Sequence, residues 1–167
     1  YKYSSRIDFK EDLSLQIAKL MQEKKAKDEL ENYAKQIRKV SSHFRKKKKN
    51  LDYYIAVGKI LSFLSSNNFK NIKPYSVFRR LVDETPEILP GLDAKRSQDH
   101  LMMMYRIGRL NENILSKATW EQWYEISKFR KFKRIVNNKR MLNKVLTLTE
   151  SASGPGLREK IDFLIQE

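Results

Sequence analysis

The sequence predicts an all-α fold: a compact multi-helix domain with a long N-terminal helix or helix pair, and a short C-terminal helix after a Gly/Ser linker. Three observations predict it. Apolar residues recur at three- and four-residue spacing through most of the 167 residues, and no stretch alternates convincingly as a strand would. Five glycines and four prolines are too few for the many turns of an all-β fold. The length is that of about one ordinary domain, sufficient to bury a sizeable core between helices.

Residues 8–45 read as helix. Phe9, Leu13, Ile17, Leu20 and Met21 keep helical spacing, as do Leu30, Tyr33, Ala34, Ile37, Val40 and Phe44. Between the two stripes, residues 22–29 hold Ala26 as their only apolar residue. This leaves two readings, one helix crossing solvent or a bend between two helices. From Leu51 to Leu64 the apolar residues lie almost all round the helical wheel, the mark of a central, buried helix that Ser65-Ser66-Asn67-Asn68 brings to an end. Pro74 suits the first turn of a short helix carrying Val77, Phe78, Leu81 and Val82. Thr85-Pro86-Glu87 reads as a further cap followed by proline, closed by Pro90-Gly91.

Asp93 can cap the next helix, whose stripe is Leu101, Met104, Tyr105 and Gly108. Thr119-Trp120-Glu121-Gln122 fits a capping box, in which a Thr hydroxyl and a Gln amide reciprocally satisfy free backbone N–H groups. The helix it starts carries Trp123, Tyr124 and Ser127, then Phe129 and Phe132, and Val136, Leu142, Val145 and Leu146 continue the apolar stripe, either unbroken or with a break at Asn137-Asn138. Ser151–Gly156 is a small-residue linker before Leu157, Ile161, Phe163 and Leu164. The chain therefore divides into a long amphipathic helix or helix pair ending in a basic run (1–50), a helical core with a basic helix (51–150), and a linker with a short helix (151–167).

Charge narrows the function. Thirty-five Lys and Arg against twenty Asp and Glu give a formal net charge of +15. An excess of this size points first to nucleic acid, then to an anionic membrane or an acidic protein. It is also unevenly spread: residues 41–90 hold ten basic against four acidic, residues 128–150 eight against one, and residues 91–127 five of each. Arg45, Lys46, Lys47, Lys48 and Lys49 form one cluster, able to neutralise phosphates and release their counterions but not to read sequence, since adjacent positions point in all directions. The bland alternatives are a solvated loop or a localisation signal. Arg130, Lys131, Lys133, Arg134, Lys139, Arg140 and Lys144 form the second, interleaved with the apolar stripe so that one helix face is cationic. Its alternatives are a merely solvated face or a membrane-surface helix. The membrane reading lacks an apolar face beyond what the core needs.

Other chemistries find little support. There is no cysteine, so disulfides, thiol catalysis and thiolate metal sites are excluded. His43 and His100 have no partners at motif spacing, and no Gly-rich phosphate loop, serine elbow or H-E-x-x-H occurs. Asp83, Glu84 and Glu87 sit among cap residues, where acids favour helix N-termini. No catalytic residue, metal site or cofactor is expected. Trp120, Trp123 and Tyr124 can stack on unpaired bases, but their spacing favours core packing, and Met102-Met103-Met104 reads the same way. No run of eighteen apolar residues occurs and no signal peptide is present, so no membrane partner is expected and a cytoplasmic location is the default. A chain beginning at Tyr1 rather than Met is expected to be a trimmed or excised segment.

Residues 51–126 resemble a bacterial family. Tyr53-Tyr54-Ile55-Ala56-Val57-Gly58-Lys59-Ile60 looks like its aromatic pair followed by an Ile-Gly helix segment. Tyr75–Leu81, Leu92 and Leu101–Tyr105 are similar to its next two helices, and Ala118-Thr119-Trp120-Glu121-Gln122-Trp123-Tyr124 to its small-residue-Trp-x-His-Tyr helix start. The family is the YhcG-type proteins, whose helical N-terminal domain precedes a nuclease domain of the PD-(D/E)xK class. Gln122 stands where that family has His. The resemblance implies DNA binding without cleavage, because no nuclease motif lies in these residues. The expected function is thus a non-enzymatic nucleic-acid-binding domain, DNA favoured over RNA, acting through phosphate contacts as the targeting part or a subunit of a larger assembly. The alternative is a helical assembly module with basic surfaces for acidic partners, self-associating through the 8–45 helix.

Overall fold

The computed structural model describes residues 6–44 and 50–166, with side chains described from residue 13 onward. Nine helices and no strand occur among these residues. The first, α1 (Arg6–His43), runs unbroken for 38 residues, about 57 Å, straight through the polar stretch 22–29. Its two halves differ. Leu30, Ala34 and Ile37 are fully buried against α2 (Leu51–Asn67) and α3 (Pro74–Glu84), whereas Leu13, Leu15, Ile17, Leu20 and Met21 are 47–68% exposed. The helix leaves the domain as a solvent-crossing arm whose first apolar stripe has no partner among the described residues.

Helix α2 is central, as its all-round apolar wheel requires: Tyr53, Tyr54, Val57, Leu61 and Leu64 are buried, and Phe63 alone among its large apolar residues is exposed. The Asn50 side chain caps it by accepting the Asp52 backbone N–H at 3.1 Å. Its main partner is α4 (Ala94–Gly108), which Asp93 caps by accepting the Arg96 N–H at 2.8 Å. The two helices cross at Gly58 and Gly108. A Cβ on Gly58 would strike the Met104 carbonyl oxygen and come within 2.8 Å of the Gly108 Cα. No side chain fits between these backbones.

Helix α3 begins on Pro74, as expected, and ends at Thr85, whose N–H bonds the Leu81 carbonyl at 3.0 Å. Thr85-Pro86-Glu87 starts no helix: it forms a single turn, with the Ile88 N–H on the Thr85 carbonyl at 3.1 Å, and Gly91 at φ +82° completes the reversal. After α4 come α5 (Glu112–Leu115), α6 (Trp120–Ser127), α7 (Phe132–Val136), α8 (Lys139–Ser151) and α9 (Gly154–Gln166). Helix α6 packs on α4 and α8, while α7 and α9 both pack on α8. The Gly/Ser linker is only Ala152 and Ser153, because Gly154 at φ +63° already opens α9, whose Leu157, Ile161 and Ile165 are buried.

Burial of Tyr53 and Tyr54 has a consequence for alkaline stability. Desolvation pushes both hydroxyls above the ordinary tyrosine range, with the charges of Tyr124 and Tyr53 adding to it at Tyr54 and the bond from Ser41 opposing it at Tyr53. The folded state then keeps protons that the unfolded chain releases near pH ~10, so stability is full below that pH and falls as pH rises through and beyond it. The urea midpoint is expected to drop between pH 9 and pH 11. Tyr54→Phe, which removes one of the two groups, should make that drop shallower. An equally steep drop in the variant would contradict the assignment.

Candidate nucleic-acid interface

The cations of residues 128–144 do not lie on one helix. Helix α6 ends at Ser127, and three features end it, two local and one tertiary. Ser127 Oγ donates to the Tyr124 carbonyl at 2.9 Å, a side-chain bond that competes with helix continuation. Arg106 Nη1, from α4, donates to the Ser127 carbonyl at 2.8 Å, taking the acceptor a continuing helix would need. Tight turns follow, from the Phe129 N–H to Ile126 O and from the Phe132 N–H to Phe129 O, each 3.1 Å. Asn138 makes the second break, its side chain capping α8 by accepting the Met141 N–H at 3.1 Å. The break left open at Asn137-Asn138 is therefore present, and the end of α6 at Ser127 is an additional one, so the basic stretch is a turn, a five-residue helix and α8.

The division keeps the cations outward. Phe132 and Ile135 anchor α7, leaving Lys133 and Arg134 exposed, and Arg130 and Lys131 project from the turn before it. On α8, Lys139, Arg140 and Lys144 occupy an arc of about 140° opposite the buried Leu142 and Val145. All seven are exposed, and none forms an ion pair with another described residue. Lys128 differs: it pairs with Glu125 at 3.3 Å and lies 4.5 Å from the Tyr124 ring centroid.

Two further arginines, distant in sequence, act electrostatically in the neighbourhood of Arg130. Burial, then the Arg130 charge, depresses the pKa of the Arg106 guanidinium. Burial and the Asp99 carboxylate raise the Tyr75 hydroxyl, while the charges of Arg79 and Arg130 pull it back. Arg79, Arg106 and Arg130, from α3, α4 and the α6–α7 turn, thus act on one neighbourhood, with the Tyr75 hydroxyl donating to Asp99 at 3.1 Å. Arg79 and Arg106 carried no signal in the sequence, standing apart from either run. Arg45, Lys46, Lys47, Lys48 and Lys49 lie outside the described residues.

The aromatic residues separate. Trp123 is fully buried, its indole N–H on the Leu115 carbonyl at 3.0 Å, so core packing holds there. Trp120 and Tyr124 are only half-buried and belong to a ring cluster with Tyr54 and His100. Met103 and Met104 are core residues. Both bonds of the Thr119–Gln122 capping box form, and Gln122 also donates to Thr149 Oγ1 at 3.0 Å, tying α6 to α8. Among the described residues no three His, Asp or Glu gather as metal ligands; Glu84 instead faces Lys27 at 3.8 Å. No helix among them is long and apolar enough to cross a membrane.

Comparison of the chain with family models, with curated proteins and with solved structures finds no match.

Proposed function

We propose that this is a non-enzymatic nucleic-acid-binding domain that holds DNA through phosphate contacts, as the targeting part or a subunit of a larger protein or complex. The observation that carries it is the seven exposed cations of the α6–α7 turn, α7 and α8, none of them in an ion pair with another described residue. Residues 128–150 hold eight basic residues against one acidic, and such a local excess of positive charge attracts a polyanion. The resemblance of residues 51–126 to the YhcG-type helical domain supports the same reading. Fluorescence anisotropy with labelled duplex DNA, single-stranded DNA and RNA, at low and high salt, tests it. Binding at low salt that weakens steeply as salt rises is expected, and no binding to any of the three overturns it.

The exposed stripe of α1 favours a second reading, a helical assembly module. Leu13, Ile17, Leu20 and Met21 are 47–68% exposed. A second copy of the same helix, paired along this stripe, would cover it. Light scattering is expected to show a dimer that Ile17→Asp returns to a monomer. A wild-type monomer at high concentration contradicts it.

A further inference from the structure

A cavity of about 580 Å³ is walled by the end of α6 with the turn after it, and by α9. Six charged side chains line it: Lys128, Arg130, Lys131 and Arg158 against Glu125 and Asp162, so the wall carries a net charge of +2. Glu125 is already engaged, 3.3 Å from Lys128. Arg130, Lys131, Arg158 and Asp162 form no ion pair with another described residue. Three cations to one carboxylate therefore remain in a single recess.

Both walls are anchored by the fold. Because α6 stops at Ser127, Arg130 and Lys131 stand on a turn, closed by the Phe132 N–H on the Phe129 carbonyl at 3.1 Å. Gly154 at φ +63° opens α9, whose buried Leu157, Ile161 and Ile165 hold the helix against the domain. Arg158 and Asp162, one turn apart on α9, are placed at the cavity by that packing. A recess with apolar packing behind it focuses the field of its cations more than an open surface does. Each wall supplies an arginine, and the planar guanidinium fork can meet two oxygens of one phosphate.

We propose that this cavity is a phosphate-binding site to which α9 contributes Arg158, and that its phosphate belongs to the nucleic acid held by the α6–α7 turn, α7 and α8. The inference rests on the phosphate-contact reading above and extends it to a helix that charge alone would pass over. Residues 151–167 hold two basic residues against three acidic. Arg130 and Lys131 belong both to the cavity and to the exposed basic surface, so a backbone lying on that surface brings phosphates to the recess. Free phosphate is the other source of the same chemistry, and the experiment separates the two.

The test is a salt titration of duplex DNA binding by the full chain and four single variants. Arg158→Ala should reduce the magnitude of the salt slope by about 0.9, which weakens binding about eightfold at ~0.1 M salt if binding at ~1 M is unchanged. Lys160→Ala removes the same charge from an exposed position of α9 that does not line the cavity, and should leave the slope nearly unchanged. Asp162→Asn removes a carboxylate from the wall and should tighten binding, by up to about fivefold. Glu159→Gln, exposed on α9 outside the cavity, should change it little. A gain of affinity does not arise from a damaged fold, so the Asp162 arm decides even if Arg158→Ala unfolds. Melting in inorganic phosphate and in chloride at equal ionic strength completes the set. Stabilisation by phosphate that Arg158→Ala abolishes, with duplex binding unchanged, would make this a free-phosphate site and overturn the nucleic-acid assignment. Equal effects within each pair, Arg158→Ala with Lys160→Ala and Asp162→Asn with Glu159→Gln, overturn the cavity and leave the proposed surface standing. No duplex binding by the unmutated chain overturns both.

Discussion

Gly58→Ala is expected to lower stability by about 3 kcal/mol, at the upper end for overpacking, which corresponds to a fall in melting temperature of about 6–12 °C for a chain of this size. The added Cβ would meet only backbone: the Met104 carbonyl oxygen, the Gly108 Cα at 2.8 Å and the Gly108 nitrogen at 2.9 Å. A side chain in the way can rotate, but a helix backbone can yield only by separating α2 from α4, the central pair of the fold. Gly108→Ala should cost a similar amount from the opposite side, where its Cβ would approach the Gly58 Cα at 2.6 Å. The double variant should cost clearly less than the sum, since the first alanine already opens the crossing. Gly156→Ala is the control. Its Cβ would meet nothing within 4 Å, on an ordinary helical backbone, so little change or a gain of up to ~1 kcal/mol is expected. Thermal melts followed by circular dichroism check all four, and a Gly58→Ala melt within a degree or two of wild type would show that the helices do not cross so closely.

The largest functional effect is expected from Arg130→Ala combined with Arg134→Ala. Removing one phosphate-binding cation reduces the magnitude of the salt slope by about 0.9, so removing two lowers it by about 1.8. If binding at ~1 M salt is unchanged, affinity at ~0.1 M falls by about 60-fold. Neither side chain is buried or paired with another described residue, so the fold should survive and the melt should match wild type. Arg106→Ala should behave differently. It removes the 2.8 Å bond to the Ser127 carbonyl that helps end α6, so it should lower stability as well as affinity. Titrations of duplex DNA over a range of salt concentrations check the pair; a weaker affinity with an unchanged salt slope would mean that these arginines do not meet phosphates.

Local signals were readable: Pro74 at the start of α3, Asp93 capping α4, the Thr119–Gln122 box opening α6, and the all-round apolar character of α2 each depend on residues a few positions apart. The four-residue α5 is too short for periodicity and has only its Asn111 cap to announce it. The end of α6 was not readable because part of its cause is tertiary, an arginine twenty-one residues away taking the Ser127 carbonyl. The pattern of apolar residues runs on past Ser127 and so implied that α6 continues into the basic stretch, whereas the break at Asn137-Asn138 was open to reading from the two asparagines. The exposure of the α1 stripe was likewise hidden, since helical spacing reports that a face is apolar, not that anything covers it. The convergence of Arg79, Arg106 and Arg130, and of Tyr54 with Trp120, joins residues that only folding brings together. Charge bias alone pointed to a polyanion, and it did so without showing which cations share a surface.

The claim that one surface, built from the α6–α7 turn, α7 and α8, meets the nucleic acid is tested most directly by residue-resolved lysine modification, read by mass spectrometry with and without bound DNA. The account predicts protection of Lys131, Lys133, Lys139 and Lys144 on binding, with the exposed Lys19 and Lys25 of the α1 arm reacting as before. Protection confined to the α1 arm, or spread evenly over all lysines, would contradict it.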